Sequence, residues 1–163
     1  MFELRLQLAT IADIPTIAVL AEQIWQQHYV PIIGEEQVRY MLERMYNAES
    51  LSEQMQKKKH LFYLVFLEDR PSGFISITEV KPGDWFLNKF YILQSEAAKG
   101  LGTAVFREVL RMHPATKMEL TVNRQNFKAI NFYFKNDFKI REVADFDIGG
   151  GYQMNDFVME WNS

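Results

Sequence analysis

The six residues from Ala98 to Thr103 form a turn that could bind an anion. They read AKGLGT, follow a strand-like segment ending at Ile92-Leu93, and lead into an amphipathic helix. The first amides of a helix have no intrahelical acceptor and lie at the positive end of its dipole, so a phosphate group can satisfy them. Gly100 and Gly102 lack the Cβ that would hold the anion away. The alternative is a plain strand-to-helix turn in which the glycines serve only the backbone.

The segment from Asn126 to Phe138 places an amide and a phenol on one helix face. Asn126 and Tyr133 are seven residues apart, which is two helical turns. Both side chains therefore project from the same face, about 10 Å apart along the axis, and could line one elongated ligand. The alternative is an N-cap asparagine and a core tyrosine whose hydroxyl is hydrogen-bonded.

The elements that must position these two segments follow from hydrophobic periodicity, which predicts the order β-α-α-β-β-β-α-β-α-β-β. The predicted strands cover roughly residues 2–8, 61–68, 73–80, 85–93 and 118–122, with two more around residues 147–151. The predicted helices cover roughly residues 14–25, 35–46, 100–112 and 127–135, with a short one over 48–58. Asp69 to Ser72 is the predicted turn of a hairpin. The strand–helix–strand unit over 85–122 predicts one parallel pairing in a mostly antiparallel sheet, which is the α+β class.

The composition predicts one globular domain over residues 1–163. The chain is 48% apolar and 24% charged, which is ordinary for a folded protein. It has no cysteine, which excludes a disulfide scaffold, a thiolate zinc site and a cysteine nucleophile. The histidines at 28, 60 and 113 show no metal-ligand spacing, so we expect no metal.

Charge and hydropathy argue against two classes of partner. The net charge of −3 and the pI near 5.7 disfavour a general nucleic-acid binder. The longest apolar run, Leu61 to Leu67, is far shorter than the roughly 20 residues of a membrane-spanning helix. The N-terminus has no signal-peptide pattern, and we expect a cytoplasmic protein.

Three segments together resemble the GCN5-related N-acetyltransferase (GNAT) family. They are the strand KFYIL over residues 89–93, the AKGLGT turn and the helix NFKAINFYFKNDF over residues 126–138, in this order and spacing. The family patterns are Gln/Arg-x-x-Gly-x-Gly/Ala and Asn-x-x-Ala-x-x-Phe-Tyr. A weaker similarity links Trp25, Tyr29 and the closing DIGGGYQMNDFVMEW to the spermidine/spermine acetyltransferase branch.

The resemblance implies an α/β/α architecture in which helices flank a central mixed sheet whose strands splay apart. It also implies acetyl-CoA as the co-substrate and an acetyltransferase acting on an amine. The backbone of Phe90, Tyr91 and Ile92 would bond the pantetheine arm like an added strand. The diphosphate would be held by the amides of Ala98, Lys99, Gly100, Leu101, Gly102 and Thr103. Asn126 would contact the pantetheine arm, and Tyr133 would protonate the leaving thiolate.

The sequence departs from the family pattern at two positions that matter for the site. Ala97 stands where the turn usually carries Gln or Arg, so one side-chain contact to the coenzyme is missing. Asn88 stands where many members carry a glutamate base, and an amide cannot accept the amine's proton. The base is therefore open among Glu119, Glu79 and an ordered water.

The acceptor is less well defined than the coenzyme. Trp25, His28 and Tyr29 lie where the first helix ends and could line an acceptor pocket, or Trp25 could be core and His28 solvated. The expected substrate is a primary amine of a polyamine-like small molecule or of a peptide. The alternative function is a non-catalytic acyl-CoA-binding or sensing module of the same fold. The sequence leaves a homodimer open.

Overall fold

The computed structural model describes residues 3–97 and 100–163. The strands are β1 (Leu4–Leu8), β2 (Leu61–Leu67), β3 (Arg70–Lys81), β4 (Asp84–Ile92), β5 (Lys117–Asn123), β6 (Lys139–Gly149) and β7 (Tyr152–Asn162). The helices are α1 (Ile14–His28), α2 (Val30–Ile33), α3 (Glu35–Met45), α4 (Ala48–Gln56), α5 (Gln94–Ala97), α6 (Leu101–Met112) and α7 (Phe127–Lys135), and a 3-10 turn over Ile11–Asp13 precedes α1.

The strands form one seven-stranded mixed sheet in the order β1-β2-β3-β4-β5-β7-β6, flanked by helices. β1 and β2, β2 and β3, β5 and β7, and β6 and β7 pair antiparallel. β4 and β5 pair in parallel, over Asp84–Phe86 and Lys117–Glu119. The α+β class and the parallel pair expected from the strand–helix–strand unit are confirmed.

The turn of the β2–β3 hairpin is two residues, Glu68 and Asp69, rather than the predicted Asp69 to Ser72. Both residues have positive φ, +51° and +62°, which matches the twist that a two-residue hairpin requires. Arg70 and Pro71 instead belong to β3, where they pair with Leu67 and Phe66. The Pro–Ser pair suggested a longer turn, but the chain reverses at two non-glycine residues that tolerate a left-handed conformation.

Two compact units make up the chain, and each has its own core. The first unit comprises residues 1–78 and 88–112, and the second comprises residues 79–87 and 113–163. In the first unit α1 buries the stripe Ile14, Ile17, Leu20, Ala21, Ile24 and Trp25. In the second unit the buried side chains include Met118, Leu120, Val122, Ile130, Phe138 and Met159. That residues 1–163 form a single domain stays a prediction.

No helix in the described part of the chain is both long enough and apolar enough to span a membrane.

Candidate active site

The junction between β4 and α6 lies in the first unit. β4 ends at Ile92, the short helix α5 follows, and Gly100 has φ +73° immediately before α6 begins at Leu101. Leu101 is fully buried and anchors the helix start, whereas Gly102 and Thr103 in the first turn are half-buried. A Cβ on Gly100 would meet no atom within 4 Å, so its glycine serves the backbone conformation rather than a close contact. Ala98 and Lys99 lie outside the described residues.

Gly73 is a site residue that the sequence analysis missed. A Cβ placed on Gly73 would collide with the carbonyl oxygen of Tyr91 and would lie 3.0 Å from the Cα of Ile92. β3 therefore approaches the end of β4 more closely than any other residue type would allow. Leu93 N–H also donates to the carbonyl of Ser72 at 2.8 Å. These contacts fix the backbone of Tyr91 and Ile92, the segment assigned to the pantetheine arm.

Glu96 does not place an isolated negative charge beside the turn. It is buried at 7% exposure, and its carboxylate lies 3.6 Å from the guanidinium of Arg70. Its backbone N–H donates to the carbonyl of Leu93 at 2.9 Å. The opposite charge of Arg70 offsets the repulsion that this carboxylate would exert on a bound diphosphate.

Asn88 is held in place by two hydroxyl groups of β3. Its Nδ2 donates to Thr78 Oγ1 at 2.7 Å and lies 3.3 Å from Ser76 Oγ. An amide side chain forms hydrogen bonds here but cannot act as a base, because it does not take up a proton. The position at which many family members carry a base therefore serves hydrogen bonding in this chain.

Tyr133 lies on α7 in the second unit, and Asn126 immediately precedes this helix. Asn126 is the N-cap, is 3% exposed, and its Oδ1 accepts from the N–H of Ala129 at 3.2 Å. Tyr133 is buried on the same helix, with its ring centre 5.4 Å from Phe132 and 5.3 Å from Phe138. The helix ends just before Asp137, whose φ of +70° takes the left-handed conformation that glycine usually supplies.

Asp156 has the electrostatic character of a base, which the sequence did not reveal. It lies on β7 opposite Asn123, is 2% exposed, and its Oδ1 has no hydrogen-bond partner among residues 3–97 and 100–163. Burial raises the pKa of this carboxyl to about 6, although the Thr121 hydroxyl and Arg124 act in the opposite direction. Its carboxylate therefore exchanges a proton near neutral pH.

The two glutamates suggested as bases are engaged elsewhere. Glu119 Oε1 accepts from the guanidinium of Arg141 at 2.8 Å, and its Oε2 lies 3.7 Å from Lys117 Nζ. Glu79 is exposed, and its Oε2 lies 3.4 Å from the backbone N–H of Gly83. Neither is buried as Asp156 is.

Trp25 and Tyr29 lie in a cluster of rings inside the first unit. This aromatic cluster comprises Trp25, Tyr29, Tyr46, Phe74 and Tyr91. The ring centre of Trp25 is 4.6 Å from Tyr29, 5.9 Å from Tyr46 and 5.8 Å from Tyr91. His28 is half-buried at the edge, with its ring 4.9 Å from that of Tyr29. The three residues predicted to line the acceptor pocket are therefore neighbours. Trp25 is a core residue and also belongs to the aromatic cluster.

Two polar atoms of the aromatic cluster are buried among the rings without a well-formed hydrogen bond to any described residue. They are Trp25 Nε1 and the Tyr46 hydroxyl. Burial, and then the Tyr29 phenol, raise the pKa of Tyr46, whereas weak hydrogen bonding to Trp25 and Tyr91 acts in the opposite direction. Weakly bonded polar atoms among aromatic rings are suited to contacting a ligand that is partly polar. Across residues 3–97 and 100–163, no group of three or more His, Cys, Asp or Glu side chains could hold a metal ion.

Comparison with known proteins supports the assignment suggested by these segments. The model of the acetyltransferase (GNAT) domain family matches residues 29–146. The chain is 24% identical over 158 residues to a spermidine N(1)-acetyltransferase of Thermoplasma acidophilum, covering 93% of this chain and 92% of that protein.

Solved structures agree on the fold. The PaiA N-acetyltransferase from Thermoplasma acidophilum, in complex with coenzyme A, superposes with a TM-score of 0.83 at 24% identity over 99% of both chains. A GCN5-related N-acetyltransferase from Rhodopseudomonas palustris superposes with a TM-score of 0.78 at 15% identity, covering 98% of this chain and 95% of that one. The predicted GNAT architecture is confirmed.

The family match covers most of the chain and includes every described residue assigned to the coenzyme, so the predictions of an enzyme and of acetyl-CoA as co-substrate are confirmed. The chain belongs to the GNAT family of acetyltransferases, which transfer an acyl group from acetyl-CoA.

Proposed function

We propose that this protein transfers the acetyl group of acetyl-CoA to the primary amine of a small molecule or a peptide. The name of the Thermoplasma relative makes a polyamine one candidate acceptor. The observation that carries the proposal is the junction before α6. There Gly100, at φ +73°, turns the chain into α6, whose amino-terminal end is the positive end of the helix dipole. That arrangement suits the diphosphate of a coenzyme.

The coenzyme contacts in this proposal follow the three segments that resemble the family. The backbone of Phe90, Tyr91 and Ile92 bonds the pantetheine arm. The amides at the start of α6 bond the diphosphate. The Asn126 side chain, which caps α7, contacts the pantetheine arm.

The chemistry needs a proton acceptor, because an alkyl ammonium with a pKa near 10.4 cannot attack a thioester. We assign that role to Asp156, whose pKa of about 6 leaves it ionised at neutral pH and whose Oδ1 has no described partner. A carboxylate of this kind takes the proton directly or through one water. Glu119 is the weaker candidate because Arg141 and Lys117 already engage its carboxylate.

The collapse of the addition product needs two further groups. A backbone N–H near Ile92 stabilises the oxygen that becomes negative when the amine adds to the carbonyl. The Tyr133 phenol protonates the departing thiolate, which is a poorer leaving group when it stays charged. The amine attacks directly, so no acetylated side chain forms, which suits a chain without cysteine.

A coenzyme-release assay over a panel of amines tests the proposal. We expect saturable thiol release with at least one primary amine, and none with the matching N-methylated tertiary amine. Isothermal titration with acetyl-CoA is run in parallel. Saturable binding of acetyl-CoA with no thiol release from any amine would contradict the proposal and favour a non-catalytic acyl-CoA-binding module.

A further inference from the structure

Lys89 is a buried cation that the coenzyme chemistry does not use. It lies on β4 in the first unit and is 7% exposed. Its Nζ donates to Gln54 Oε1 at 2.8 Å and lies 5.7 Å and 5.6 Å from the ring centres of Tyr46 and Phe62. Within residues 3–97 and 100–163 it forms no ion pair with a carboxylate. A buried charge without a counter-charge is costly and creates a strong local field.

The surroundings of Lys89 add to its positive field. The basic turn, Lys57 to His60, joins α4 to β2, and its three lysines are exposed. Burial and then Lys58 lower the pKa of Lys89 to about 8, so this side chain stays protonated at neutral pH. Burial, Lys89 and Lys58 lower the pKa of His60 to about 4, so its imidazole stays neutral. The electrostatic potential around Lys89 and the basic turn is therefore positive at neutral pH, although the chain has a net charge of −3.

The ammonium of Lys89 and the aromatic cluster share one side chain, Tyr46. Its ring centre lies 5.9 Å from that of Trp25 and 5.7 Å from Lys89 Nζ. Only the ring of Tyr46 therefore separates a ligand that contacts Trp25 from the buried positive charge of Lys89. At about 10 Å, and with the effective dielectric of a protein interior near its surface, two unit charges change a binding constant on the order of tenfold.

We propose that Lys89 sets the acceptor specificity of this enzyme by disfavouring amines with a second positive charge and favouring amines whose other end is anionic. The inference rests on the proposed function, and it separates this chain from the substrate that its spermidine-acetylating relative is named for. The acceptor amine loses its proton before it reacts, whereas a second ammonium or a carboxylate at the far end keeps its charge.

A matched series of three acceptors tests the charge at the far end without changing length. It comprises 4-aminobutanoate, butylamine and 1,4-diaminobutane. Each has a four-carbon chain with a primary amine at one end, and the far end is a carboxylate, a methyl group or a second amine. We expect kcat/KM at pH 7.5 to fall in that order, by roughly tenfold at each of the two steps. The readout is thiol release at saturating acetyl-CoA.

Two substitutions at Lys89 separate its charge from its shape. Lys89→Met keeps the length and removes the charge, and we expect it to reduce the ratio of kcat/KM between 4-aminobutanoate and 1,4-diaminobutane by roughly a hundredfold, tenfold for each unit of charge by which the two acceptors differ. Replacing a buried charge by an apolar side chain of similar size is usually tolerated. Lys89→Arg keeps the charge and should keep the ratio. Lys57→Met, at an exposed lysine of the basic turn, is the matched control and should leave the ratio unchanged.

His60 provides an independent readout of the field. In Lys89→Met its imidazole should titrate at higher pH than in the wild type, as followed by NMR, because one of the three causes of its low pKa is gone. A ratio that stays unchanged in Lys89→Met, or equal kcat/KM for the three acceptors in the wild type, would overturn the inference alone. Turnover of none of the three, with turnover of another amine of the panel, would also overturn the inference alone. No thiol release from any amine of the panel would overturn the proposed function and the inference with it.

Discussion

The two units are proposed to act through different parts of their residues. The first unit binds the coenzyme through its backbone, and the second transfers protons through its side chains. In the first unit the contribution is backbone geometry, set by Gly73 against Tyr91 and by the positive φ of Gly100. In the second unit it is side-chain chemistry, supplied by Tyr133 and Asp156. Substitutions in the first unit should therefore change the affinity for acetyl-CoA, and those in the second should change kcat and its pH dependence.

Tyr133→Phe should give the largest effect, and it tests whether a side chain of the second unit acts on kcat and leaves coenzyme affinity unchanged. Removing the phenol removes the proton donor for the thiolate, so we expect kcat to fall roughly a hundredfold, within the usual contribution of a general acid. The Kd of acetyl-CoA, measured by isothermal titration, should stay within about twofold. Phe132→Leu, on the neighbouring ring, is the packing control. A wild-type kcat across pH 6 to 9 in Tyr133→Phe would remove this phenol from the mechanism.

Asp156→Asn should give the next largest effect, and it tests whether a side chain of the second unit sets the pH dependence of kcat/KM. With a pKa of about 6, the wild-type carboxyl becomes protonated below that pH, so kcat/KM should decline as pH falls through 6. The Asn variant should lose roughly tenfold or more at pH 7.5 and should lack that decline. The acetyl-CoA Kd again serves as the quantity that stays constant.

The stability of Asp156→Asn distinguishes a lost base from a damaged fold. The folded-state pKa lies above the unfolded value of 3.8, so the buried carboxyl favours the neutral form and wild-type stability decreases as pH rises from about 4 to 6. The Asn variant does not carry that cost, so its free energy of unfolding should equal or exceed the wild type at pH 7.5. A stable variant with a wild-type pH–rate profile would show that Asp156 is not the base.

Side-chain chemistry on a single element could be predicted from the sequence, whereas contacts between elements could not. The bounds of α7 follow from helical periodicity alone. The need for glycine at Gly73 arises only when β3 lies against the end of β4. The pKa of Asp156 depends on its burial opposite Asn123, on a strand far away in sequence.

Two electrostatic features likewise depend on contacts between elements. Lys89 lies in the middle of a strand segment, and the sequence does not show its burial, because its ammonium is covered by residues of α4 and β2 such as Gln54 and Phe62. The carboxylate of Glu96 lies beside the guanidinium of Arg70, the first residue of β3. Both outcomes depend on tertiary packing rather than on local spacing.

Gly73→Ala tests the first unit and should reduce acetyl-CoA affinity without changing the pH dependence of the remaining activity. The added Cβ collides with the Tyr91 carbonyl, so β4 must shift in the segment whose backbone is proposed to bond the pantetheine arm. We expect the Kd to rise roughly tenfold and the free energy of unfolding to fall by about 1–3 kcal/mol. Gly83→Ala, in the turn before β4, is the control for destabilisation alone, because Gly83 has a φ of +80° and an added Cβ would lie 3.0 Å from Thr116 Oγ1. Equal effects of the two variants on Kd would contradict the assignment.

Gly100→Ala should give the smallest effect, because the glycine is needed only for its backbone angle. An alanine at φ +73° meets no atom within 4 Å, so the cost is the conformational strain of roughly 1 kcal/mol. We expect the acetyl-CoA Kd to rise severalfold, and Gly100→Asn to recover part of it because asparagine tolerates this conformation. Gly34→Ala is the control, because Gly34 also has a positive φ (+87°), has no atom within 4 Å of an added Cβ and precedes α3, so the variant should lose at least as much stability at unchanged Kd. If Gly100→Ala binds acetyl-CoA as the wild type does, the amides of this turn do not hold the diphosphate.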